Sequence, residues 1–134
     1  MKSRQRKSAD RSGATVVEMA MCLPVLFLLL FGCYEFARAN MMRHATEAAA
    51  YEGARVGIVP GAKVSDVEDA CRFVLSTVGI REFDVEVNPS PITRRDRKVR
   101  VTVTLKMRDN TSIGLLFNEE SEFRGECELT REGF

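Results

Sequence analysis

The chain has no tryptophan, two tyrosines, four prolines and one histidine in 134 residues. A lone imidazole, here His44, makes neither a metal site nor a catalytic base without partners. The sequence also lacks a nucleophile elbow, a glycine-rich phosphate loop and paired-cysteine zinc spacing. With no constellation to carry chemistry, the expectation is a non-enzymatic protein without cofactor or metal. An excess of one charge is missing as well: 20 Lys+Arg stand against 19 Asp+Glu, a net charge of +1. A general nucleic-acid binder would be basic over its whole length, so no nucleic-acid partner is expected. The length allows one small domain, and 45% apolar residues argue against wholesale disorder.

The even balance hides a steep asymmetry at the N-terminus. Lys2, Arg4, Arg6, Lys7 and Arg11 face Asp10 alone in residues 1–13, a basic leader with no long apolar side chain after Met1. Ala14 to Tyr34 then runs for 21 residues with one charge, Glu18. As a helix it spans roughly 30 Å, the thickness of a bilayer's hydrocarbon core. A domain this small could hardly enclose such a segment all round. A cleaved secretory signal would use the small-x-small site Ala37-Arg38-Ala39, but the apolar run exceeds the usual h-region and Glu35 sits beside that site. A retained single span is the better account. The positive-inside rule keeps residues 1–13 cytoplasmic and exports the remainder.

The helical pattern continues to about Val59, where Pro60-Gly61 ends it. Ala45, Ala49, Gly53 and Gly57 recur every four residues on one face, a small-residue stripe that lets another backbone approach closely. That backbone belongs either to the protein's own globular part or to another subunit. Ser65 and Glu68 have capping-box spacing for a second helix to about Val78, with Val67, Ala70, Cys71, Val74 and Val78 on one face and Gly79 as its stop. Strand alternation follows at Phe83-Val85-Val87, at Val99 to Met107, and from about Glu122 to Arg131. The expected fold is α+β. A long N-terminal transmembrane helix (14–59) continues into a small extracytoplasmic domain (60–134), in which a second helix covers a three-stranded antiparallel sheet. Because residues 61–134 are few for an independent core, the outer half of the long helix should supply the missing apolar surface.

Cys22 and Cys33 fall in the span and behave as small apolar residues. Cys71 and Cys127 lie on apolar faces of the exported part, either joined as a disulfide or buried as two thiols. The loop Pro89 to Arg100 holds Arg94, Arg95, Arg97, Lys98 and Arg100 against Asp96. It reads as a solvated hairpin tip, or as a surface for anionic headgroups or an acidic partner. Pro24 removes one helical hydrogen bond inside the span, a kink that a membrane tolerates.

Glu18 is the most specific feature. A carboxylate in hydrocarbon costs on the order of 2.5–3.5 kcal/mol on insertion scales and calls for a partner. If the chain were cut between Gly13 and Ala14, Glu18 would become the fifth residue, about 6 Å along the helix from a new α-amine on Ala14. The pair would neutralise within one subunit, or between neighbours as a register device for stacked helices.

At this point the sequence resembles the type IV prepilins and pseudopilins, and most closely the TadE-like pseudopilins of the tight-adherence (Flp) pilus. The resemblance rests on the basic leader, on Arg11-Ser-Gly-Ala-Thr-Val-Val-Glu18, on Pro24, and on the Ala/Gly-rich segment from Glu47 to Arg55. It implies insertion in the inner membrane and removal of the leader by a prepilin peptidase, with Gly13 and Ala14 as processing residues. It implies subunit docking through Glu18, and work as a minor component alongside other pilin subunits and the pilus assembly platform. One position departs from the pattern: Met19 follows the glutamate, where processed subunits of this system often carry an aromatic residue.

Overall fold

The computed structural model describes residues 6–93, 95–110 and 121–131, with side chains from Gly13 onward. The chain divides into two compact units, Met1–Tyr34 and Glu35–Phe134, rather than at the end of the long helix. Helix α1 runs Arg6–Gly57 and contributes to both. It begins inside the basic leader, seven residues before Gly13, and ends two residues short of the expected Val59. Adding a turn to an existing helix costs little, because nucleation is the expensive step. The helix continues through Pro24.

In the first unit every described side chain from Gly13 to Phe31 is exposed. The helix is long and apolar enough to cross a membrane, and its most apolar window has a mean hydropathy of 2.3 with none of it buried. A helix that is apolar all round and packs against nothing is suited to lipid.

In the second unit α1 changes character. Met42, Ala49, Ala50 and Ala54 are fully buried against a three-stranded antiparallel sheet of order β1-β2-β3. The strands are β1 Asp84–Asn88, β2 Lys98–Lys106 and β3 Glu122–Thr130. Val99, Val101, Val103 and Leu105 of the central strand point into the core, as their alternation requires. Helix α2, Val64–Thr77, adds Val67, Cys71 and Leu75 to the same core. The outer half of α1 therefore does supply the surface that the small sheet needs. A single turn, α3 (Met107–Asn110), follows β2, so Met107 closes the core from a helical turn rather than from the strand.

The ends of α2 are instructive. Its N-cap is Lys63, not Ser65, and the acidic partner is Asp66, whose Oδ2 accepts the Lys63 backbone N–H at 2.9 Å. This is half of a capping box, since a lysine side chain has no acceptor to offer in return. At the other end Gly79 takes a φ of +74°, and Ile80 N donates to Leu75 O at 3.1 Å while Gly79 N donates to Ser76 O at 3.0 Å. That is a Schellman-type stop with glycine in the left-handed position.

Candidate functional site

Gly13, Ala14 and Glu18 lie on the first unit's part of α1 and are all exposed. Around Gly13 a Cβ would meet nothing within 4 Å, so neither bulk nor backbone strain demands a glycine there. Its conformation is helical, and a residue with a side chain would serve the helix better by roughly 1 kcal/mol. Glu18 sits one helical turn from Ala14, surrounded by the exposed apolar side chains Val16, Val17, Met19 and Met21. The sequence features that concentrate here have no use in the packing of the described structure.

The small-residue stripe behaves differently. Ala45, Ala49, Gly53 and Gly57 are buried, and the elements over the glycines are the chain's own. A Cβ on Gly53 would stand 2.6 Å from Cys71 Sγ, and one on Gly57 would stand 2.9 Å from Val99 Cγ1. Within the described chain this face receives α2 and β2. The face opposite, with Ala37, Met41, His44, Ala48 and Tyr51, is exposed.

A tight approach to α1 comes from a residue that sequence reasoning passed over. A Cβ on Gly125 of β3 would lie 2.5 Å from the backbone oxygen of Thr46. The available signal was a glycine on the apolar face of a strand, between Phe123 and Cys127, which marks a close backbone approach. Arg131 was also missed. It follows β3 instead of ending it, and its buried guanidinium donates to Gly57 O (3.2 Å), Ile58 O (2.7 Å), Val59 O (3.4 Å) and Thr93 O (3.2 Å). It caps the carbonyls that the end of α1 leaves open. Arg38 does the same for α2, donating to Val78 O at 2.9 Å.

Cys71 and Cys127 are free thiols, so the disulfide alternative is not realised. The Cys71 thiol is turned toward α1, donating to Ala49 O at 3.3 Å, and burial pushes its pKa up to about 11. Partial burial also raises the Cys127 thiol. Cys22 and Cys33 are exposed on the span. Neutral, buried thiols of this kind are poor nucleophiles.

The basic loop is not a continuous patch either. Lys98 and Arg100 belong to β2 and pair with carboxylates of β3: Lys98 Nζ with Glu128 Oε1 at 2.6 Å, Arg100 with Glu128 at 2.7 Å and with Glu126 at 3.1 Å. These two cations hold the Glu128 carboxyl below the usual range. Asp96 folds back on Thr93, accepting from its backbone N–H at 2.7 Å and from its hydroxyl at 2.5 Å, which lowers its pKa too. Arg94 lies outside the described residues. His44 faces Glu47 at 3.7 Å on the exposed surface, and among the described residues no group of three or more potential ligands converges on a metal position.

One family model, described as TadE-like protein, matches residues 13–55. This segment is TadE-like. The match opens on Gly13, contains Glu18 and Pro24, and closes on Arg55, so it covers the span and most of the α1 face that packs on the sheet. The TadE-like segment does not include α2 or the sheet. No curated protein and no solved structure matches the chain.

Proposed function

We propose that this protein is a non-enzymatic minor pseudopilin that acts in assembling a tight-adherence (Flp-type) pilus. It is anchored by a single pass in the inner membrane, with residues 1–13 in the cytoplasm and the sheet domain outside. A prepilin peptidase removes the leader after Gly13. The new Ala14 amine then neutralises Glu18 of the same or a neighbouring subunit, and other pilin subunits and the assembly platform are the partners. One observation carries this reading: the TadE-like match begins at Gly13 and takes in an exposed acid on an otherwise apolar helix that has no internal use for it. An acid in lipid without a partner is costly, and a cleavage-generated amine one turn away supplies one.

A second reading is favoured by the helix itself. The backbone is continuous through Gly13 and Ala14, so a peptidase must first unwind it. In that case the protein is a single-pass anchor for an extracytoplasmic binding module, with its N-terminus uncut. N-terminal sequencing of protein extracted from host membranes separates the two. A start at Ala14 supports the pseudopilin, and a start at Met1 supports the anchor. A start at Asn40 would mean ordinary secretion. Glu18→Ala should abolish piliation or partner association while leaving membrane insertion and the melting of the sheet domain unchanged. Normal piliation in that variant removes the docking role.

A further inference from the structure

We propose that the cleft between α2 and the start of β1 is a docking site for a peptide segment of a partner protein that carries an acidic residue beside an apolar one. The cleft is half-open, about 370 Å³ in volume, and lined by Arg72, Ser76, Ile80, Arg81 and Phe83. Its floor is apolar: Ile80 is only 2% exposed and Phe83 is half-buried. Its rim holds two guanidiniums with no ion pair or side-chain hydrogen bond among the described residues. Among the described residues Arg72 stays unpaired although Glu68 and Asp69 precede it by one turn on α2. The cations of the sheet face, in contrast, hold carboxylates at 2.6–4.0 Å. Two forked donors over an apolar floor are suited to a carboxylate on a hydrocarbon stem, which each fork can grip through two hydrogen bonds.

The site is held in shape before any ligand arrives. Asn110 Oδ1 accepts the backbone N–H of Arg81 at 3.0 Å and of Glu82 at 3.2 Å, and its Nδ2 donates to Glu82 O at 2.7 Å. This side-chain amide pins the connector that carries Arg81, which lowers the ordering cost of binding. Beyond Phe83 a smaller cleft of about 110 Å³ is bordered by three acids, Glu82, Asp84 and Asp109, against one cation, Lys106. Phe83 lines both clefts, one rimmed by cations and the other mainly by acids. An anionic lipid surface would be repelled by the three acids, whereas a peptide with an acid, an apolar side chain and then a base satisfies both rims. A protein partner is therefore the occupant, and the proposal does not depend on how Glu18 or the leader is used.

The test uses the full chain in detergent micelles and the peptide acetyl-Glu-Leu-Ala-Lys-amide, followed by NMR at Ile80 and Phe83. Saturable shifts at both residues are expected. Arg72→Gln and Arg81→Gln should each weaken binding by about tenfold or more, the loss of one charge-assisted contact. The peptide with Gln in place of Glu should lose the shifts. Arg95→Gln removes another exposed cation that makes no such contact among the described residues, and should leave binding unchanged. Absence of saturation at Ile80 and Phe83, or an equal loss in Arg95→Gln, overturns the proposal. So does preferential capture by phosphatidylglycerol vesicles that Arg72→Gln abolishes.

Discussion

Helix α1 contains two regions built for two solvents. From Gly13 to Phe31 its side chains are mostly apolar, many of them large, and exposed on every side. From Ala39 to Gly57 they are small on one face, Met42 excepted, and that face is shut against a sheet. The backbone is the same helix throughout. In lipid nothing is gained by burying a particular face, so bulk is distributed around the axis. Where helix and strand come within a few ångströms, Ala, Gly and a back-bonded Thr46 leave the room; the Thr46 hydroxyl meets its need by donating to Met42 O at 2.6 Å. A single helical period therefore hides two separate selection rules, one for hydropathy and one for size.

The largest effect is expected at Gly125. Gly125→Val places carbon atoms against the Thr46 backbone, which cannot move aside as a side chain could. The sheet domain should lose about 3 kcal/mol or more, read as a large fall in Tm or outright failure to fold. A Tm near that of the parent would mean that helix and strand do not meet there.

The same substitution made in both regions sharpens the contrast next. Ala49 is fully buried and Ala20 is exposed. Ala49→Leu should destabilise the domain by about 1–3 kcal/mol, and Ala20→Leu should leave its thermal melt unchanged. Equal effects would erase the distinction between the two halves.

Arg131→Gln should cost about 2 kcal/mol, because the carbonyls at the end of α1 lose a charged donor in a buried setting. Its signature is faster amide exchange in the last turn of α1 ahead of global unfolding. The smallest effect is that of acid. Asp96 and Glu128 have lowered carboxyl pKa values, so their contribution is present above the ordinary carboxylate range near about pH 4 and is lost as pH falls through the lowered values. Both groups are well solvated, so the slope should be shallow, and Glu128→Gln should flatten it further in a pH series of denaturant melts. An acid slope identical in the parent and Glu128→Gln would show that the Lys98 and Arg100 pairs add nothing.

Much of the architecture was readable along the chain because it is local. Val99 to Leu105 alternate, and alternation means a half-buried strand wherever that strand is placed. Gly79 stops α2 because a left-handed residue is needed there and glycine takes that conformation without penalty. Local capping signals can still compete. Ser65-x-x-Glu68 offered one start for α2, and Lys63-x-x-Asp66, two residues earlier, forms it. Gly13 and Glu18 were legible for a different reason: they stand out because the surrounding structure has no need of them.

The lipid-compatible span, the single acid within it, and the order of helices and strands are written into the segments one at a time. These follow from hydropathy and period, which each segment carries alone. Folding alone settles where the Ala45-to-Gly57 stripe faces, that Cys71 points at Ala49 O rather than pairing with Cys127, and that Lys98 and Arg100 are matched by Glu126 and Glu128. It also decides that Arg131 closes a helix ending 74 residues earlier in the chain. Each of these is a contact between residues distant in sequence, and such a contact has no period to announce it. It exists once folding has brought the two groups together, and its energy depends on the distance between them.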